Sequence, residues 1–265
     1  MVQHKIKFLN MEITMNNKIL ILFLGVFLSF SIVADDHMEA PTLIPLETLQ
    51  CNFNGNKDVD DLYKLQEEWT SFVNENEDVA YASWLITPMF RSASDFTNDI
   101  GWLGVSPSWS AFGKAYDAWF DRAGDIAEKF NKVYTCNTQQ LFAAQMVRQT
   151  EGSGNNGVMM VSNCSLINDA TLVDVAMADQ KWNAYLDSQG TDGTIVRWFP
   201  GPGTPTNLDY SFKYVTLAES MEAWGEGSES FVNNGGLLAQ QEIFGNIVSC
   251  DSPRLYLVNA FGGQQ

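Results

Sequence analysis

The sequence predicts an α+β protein built from one βαββαβ unit written twice, and three observations carry that prediction. Counted from Cys51 and from Cys164, Trp69 and Trp182 both lie 18 residues on, Trp84 and Trp198 lie 33 and 34 on, and Cys136 and Cys250 lie 85 and 86 on. In a chain with only 4 Cys and 8 Trp, matches at this many positions mark an internal repeat. Hydrophobic spacing then switches between strand and helix periods in the same order within each copy. Turn-forming stretches, TPMFRSASDFTN and PGPGTPTNL, separate the same pair of strand-like runs.

The first strand of the first copy is read over Thr48 to Phe53. A helix follows, and its start is signalled in both copies. Asp58 and Thr171 stand seven residues past the first cysteine as N-caps, and Asp61 and Asp174 stand three further on, in the manner of a capping box near the positive end of the helix. The stripe Leu62, Leu65, Trp69, Phe72, Val73 corresponds one for one with Val175, Ala178, Trp182, Tyr185, Leu186 and predicts one buried helix face. The segment NFNGNKDVDD resembles a calcium loop in composition only, because the second copy lacks it and the spacing departs from the EF-hand pattern.

Strands are read next over Ala80 to Ile86 and Asp99 to Val105, and over Gly193 to Phe199 and Asp209 to Val215. The second helix, Ser108 to Val133, carries the unbroken pattern Phe112, Tyr116, Trp119, Phe120. Its twin is expected to be shortened or broken by Gly225, Gly227, Gly235 and Gly236. The last strands are read over Gln140 to Val147 and Arg254 to Ala260. These elements place module 1 at 44–148 and module 2 at 158–265, joined by a polar linker at 149–157.

The order βαββαβ is the split βαβ, or ferredoxin-like, arrangement. In it the first and last strands are antiparallel neighbours, which brings Cys51 beside Cys136 and Cys164 beside Cys250. Disulfides within each copy are therefore expected, with pairing between the copies as the alternative.

Residues 15–34 run from a short polar start with Lys18 through an apolar stretch to Ala34, the pattern of a cleaved secretory signal. Residues 1–34 are read as leader and signal, 35–43 as a loose segment, and export to a periplasmic or extracellular compartment is expected. A membrane association would come only through an uncleaved signal. The net charge of −17 becomes about −19 without the leader, which disfavours nucleic acid and anionic membranes as partners. Four cysteines in an exported chain fit two disulfides, and they show no close pairs of the kind zinc requires, so no metal is expected.

In element order and duplication, 44–261 resembles the dimeric α+β barrel superfamily in its tandem form, the design of antibiotic-biosynthesis monooxygenases, stress-responsive barrel proteins and NIPSNAP-like proteins. The resemblance implies an intramolecular α+β barrel of two ferredoxin-like modules, a pseudo-dimer within one chain that can act as a monomer. It also implies a ligand pocket between a module's sheet and its helices, with Tyr81, Trp84, Trp102, Trp198 and Phe212 as aromatic wall and Arg91, Tyr116 or Arg197 as polar anchor. The chain has 2 His, His4 and His37, both at its start, which disfavours histidine-held haem and histidine-based triads. No nucleotide-binding motif is present, and no cofactor is expected. Three roles remain open: an exported binding module for a small apolar or aromatic molecule, a cofactor-independent monooxygenase-like enzyme, and a structural barrel without ligand. The unbroken helix of module 1 makes its pocket, over Trp84 and Trp102, the better formed of two.

Overall fold

A computed structural model describes residues 41–265 apart from 93, 95, 151–155 and 264–265. The signal, the loose segment up to residue 40 and both histidines lie outside the described residues.

The first strand, β1 (Leu43–Phe53), begins earlier than its sequence pattern indicated. Its residues alternate between two apolar environments, Leu46 facing one way and Leu49 and Cys51 the other. Asp58 caps α1 (Val59–Tyr63) by accepting from the backbone N–H groups of Asp60 and Asp61 at 3.0 and 3.1 Å. Asp61 does not close a capping box. Its carboxylate binds Lys57 and Lys64 instead, and the helix breaks before resuming as α2 (Gln66–Glu75).

β2 (Ala82–Phe90) runs four residues past Ile86, through Pro88, because its pairing with a later strand is bulged there and tolerates the missing N–H. β3 (Ile100–Val105) leads to Ser108, which caps α3 (Trp109–Arg122). The expected continuous helix to Val133 is instead two, since the chain turns at Ala123 before α4 (Gly124–Val133). β4 (Tyr134–Arg148) and β5 (Asn156–Leu166) follow. Gly157, read as linker, is a β5 residue pressed so closely on β7 (Phe212–Ala218) that a Cβ would stand 2.1 Å from the carbonyl oxygen of Ala218.

α5 (Leu172–Ser188) opens with the expected capping box between Thr171 and Asp174, and β6 (Thr194–Pro200) precedes β7. α6 (Met221–Asn233) passes through Gly225 and Gly227 without a break. Each interior glycine costs a helix only about 1 kcal/mol, which neighbouring turns can offset. The break comes later, at Gly235 with φ 84°, before α7 (Gly236–Phe244). Both long helices are thus two-part, and the expected contrast between an intact and a broken helix is corrected. β8 (Val248–Cys250) and β9 (Arg254–Gly263) complete the chain.

Eight strands close into an antiparallel barrel in the order β7-β6-β4-β1-β3-β2-β9-β5, with β5 returning to β7 and β8 attached to the side of β5. β1 lies between β3 and β4, and β5 between β7 and β9. β2 pairs with β9 and β4 with β6 to join the two four-stranded groups. Cys51 stands opposite Cys136 and Cys164 opposite Cys250, and both pairs are disulfide-bonded. One core fills the barrel. Two others lie outside it, under α1–α4 and under α5.

Candidate functional site

Inside the barrel, side chains from all eight barrel strands surround a cavity of ≈ 200 Å³. Trp84 from β2, Leu103 from β3, Val196 and Trp198 from β6, Val215 from β7 and Val258 from β9 form its walls. β-Branched and aromatic residues suit these positions because a strand buried on both faces must present apolar groups inward as well as outward. Met146, Gln149 and Asn156, all exposed, mark the mouth. Trp198 packs against Phe142 with ring centroids 5.8 Å apart and is 4 % exposed, and its buried indole nitrogen has no acceptor among the described residues.

Lys213, the cross-strand neighbour of Trp198, belongs to a polar cluster. Its ammonium donates to Asn163 Oδ1 at 2.6 Å, and Asn163 donates to both oxygens of Asp251 at 2.7 and 2.9 Å. Arg254 holds Asp251 from the other side at 2.6 Å. Burial, with the nearby Arg254 charge adding to it, pushes the Lys213 ammonium down to about 8.

On the outer face beneath α3 lies a buried carboxylate, Glu47, 4 % exposed. The hydroxyls of Tyr81 and Tyr116 donate to its two oxygens, Gln139 Nε2 donates at 3.2 Å, and the Trp102 indole donates to the Tyr81 hydroxyl at 2.9 Å. Gly104 makes this possible, since a Cβ there would stand 1.7 Å from the Tyr81 hydroxyl oxygen. Burial, reinforced by the Glu47 charge, raises both tyrosines well above their ordinary range, so both stay protonated donors. The rest of this space is closed by Trp69 edge-on to Trp102 at 5.5 Å, and by Phe130 and Phe261.

Beneath α5, Arg197 makes a bidentate pair with Asp179, both bonds 2.8 Å, and its guanidinium lies 4.7 Å over the ring of Phe212. Burial, followed by the Asp179 charge, raises the Tyr214 hydroxyl above its ordinary range.

The eight candidate residues are therefore divided among several environments. Trp84 and Trp198 share the barrel cavity. Tyr81, Trp102 and Tyr116 surround Glu47, and Arg197 and Phe212 surround Asp179. Arg91 is exposed after β2. Trp84 stands opposite Leu103, and Leu85 opposite Trp102, so the two tryptophans expected to line one pocket lie on opposite faces of the sheet. Glu47, Asp179 and Lys213 were not singled out from the sequence.

No family model matches the chain, and no curated protein matches it. Solved structures do. A candidate monooxygenase from Lactobacillus acidophilus NCFM is 14 % identical, with TM-score 0.51 over 83 % of this chain and 94 % of that one. The oxyferrous complex of DtpA from Streptomyces lividans is 8 % identical, with TM-score 0.50 over 84 % and 91 %. Iron belongs to that protein. In this chain no histidine lies among the described residues, and aromatic cores fill the outer faces, so the residues present do not fit a histidine-held haem. Likeness at this identity speaks to fold, and the fold is that of the dimeric α+β barrel proteins, with all eight barrel strands supplied by one chain.

Proposed function

We propose that the barrel is a binding protein for a small neutral apolar molecule, held in the interior cavity between Trp84 and Trp198. The observation that carries this reading is the cavity itself, ≈ 200 Å³ and walled by apolar side chains. An apolar cavity of about 150 Å³ stays dry and takes up benzene, so this one suits a single ring with a short substituent. The matched strand pairings and disulfides support reading the chain as tandem ferredoxin-like modules, 44–148 and 158–265, which make the cavity at their junction. Two disulfides, which persist in oxidising compartments, support export as its setting. No helix among the described residues is long and apolar enough to cross a membrane.

Toluene is the simplest probe. Ala144 lines the cavity as the cross-strand neighbour of Trp198, and Ala144→Leu would fill the space without adding a polar atom. Toluene should raise the Tm of the wild-type protein and leave that of Ala144→Leu unchanged. Equal rises in the two proteins, or none in either, would refute the reading. Product analysis after incubation with aromatic substrates and oxygen separates binding from the alternative, monooxygenase-like chemistry.

A further inference from the structure

At the end of the barrel away from the mouth, three polar side chains face the interior. Asn163, Lys213 and Arg254 each stand two residues from a member of the barrel core, Val161 on β5, Val215 on β7 and Tyr256 on β9, so the pleat turns them to the same face. The strand register sets them side by side. Asn163 is opposite Lys213, and Val161, one pleat back, is opposite Val215 on one side and Arg254 on the other.

Charge in this group is unevenly covered. Arg254 is 8 % exposed, and its Nη1 donates to Asp251 Oδ1 at 2.6 Å and to the Ser252 carbonyl at 2.8 Å. Its Nε and Nη2, the edge that can grip two oxygens at once, have no hydrogen-bond partner among the described residues, and both nitrogens keep some surface open to solvent. The Lys213 ammonium donates to a neutral acceptor, Asn163 Oδ1, and lies 4.5 Å over the ring of Tyr210. The carboxylates nearby are Asp251, already held by Arg254 and by two N–H groups of Asn163, and Asp209. Both are exposed, whereas the two cations face inward. Burial and the Arg254 charge together hold the Lys213 ammonium at about 8, against the opposing pull of Asp251 and Asp209. A bound anion would relieve that repulsion, and only one with paired oxygens matches the guanidinium edge.

From this we infer that the end of the barrel opposite the mouth binds a small oxyanion, a carboxylate or phosphate group, through the free Nε and Nη2 edge of Arg254 and the ammonium of Lys213. This site is separate from the apolar cavity and goes beyond the binding reading above.

Acetate and sulfate, each titrated into the full chain at constant ionic strength against sodium chloride, test it, because both keep their charge between about pH 6 and about pH 9. The side-chain carbon resonances of Lys213 and Arg254 should shift saturably with both. Tighter binding of acetate assigns a carboxylate as the natural group, and tighter binding of sulfate a tetrahedral oxyanion such as phosphate. Affinity should fall roughly tenfold from about pH 6 to about pH 9, as Lys213 loses its proton. Lys213→Arg, which stays charged throughout, should bind with little dependence on pH. Shifts that grow linearly with added anion, or that chloride reproduces, overturn the inference, and so does an affinity unchanged across that range in the wild type. Should Lys213→Arg fail to fold, the wild-type pH dependence decides alone. No aromatic probe is involved, so failure here leaves the cavity reading standing.

Discussion

Asp179→Ala is expected to destabilise the protein by about 3–5 kcal/mol, measured by denaturant unfolding, because it strands a buried guanidinium. The side chains of Arg197 and Asp179 are 3 % and 9 % exposed, and two 2.8 Å bonds join them. Arg197 cannot reach water to recover that loss. Removing both charges together, in Asp179→Leu with Arg197→Met, should restore most of the stability, since a buried ion pair costs desolvation that an apolar pair does not. A single variant within about 1 kcal/mol of wild type would show that Arg197 finds another partner or swings to solvent.

The second large effect is expected from the disulfides. Cys51–Cys136 closes a separation of 85 residues and Cys164–Cys250 one of 86. On the chain-entropy account, loops of this size restrict the unfolded state enough to stabilise the fold by about 4–5 kcal/mol each. Cys51→Ala with Cys136→Ala should therefore lower unfolding free energy by about 2–5 kcal/mol, the range found when native disulfides are removed. Because each bond is anchored on a strand of the same barrel, β1 and β4 for Cys51–Cys136 and β5 for Cys164–Cys250, losing the pair in either half should lower one cooperative transition rather than split it. A variant as stable as the wild type would mean that the unfolded chain is already restricted at these points.

The disulfides were legible because two independent features agreed on them: the repeated cysteine offsets and the adjacency of first and last strands in a βαββαβ unit. The helix caps at Asp58 and Thr171 were legible for a local reason, since a capping side chain bonds within its own first turn. The site was much less so. Alternation along one strand tells which residues share a face, but not how that strand is registered against its neighbour. Here Trp84 meets Leu103, while Trp102 meets Leu85, and the two tryptophans serve different cores. A register shifted by one residue would have put them together.

Asp179 and Glu47 did leave a signal. Asp179 lies on the stripe formed by Val175, Ala178 and Trp182, and Glu47 lies on the β1 face of Leu49 and Cys51. An acidic residue on an apolar stripe implies a buried partner, and each has one: Arg197 for Asp179 and two tyrosines for Glu47. The continuity of the long helix was misjudged because glycine count was taken as the breaker. In fact α6 accommodates Gly225 and Gly227, and α3 ends at an alanine.

A crystal structure of the protein under xenon pressure tests the central claim most directly, because xenon enters apolar cavities without requiring a hydrogen bond. The account predicts xenon inside the barrel, in contact with Trp84, Val196, Trp198 and Val215. Xenon lodged instead beneath α3 beside Trp102, or beneath α5 beside Phe212, with the barrel interior unoccupied, would contradict it.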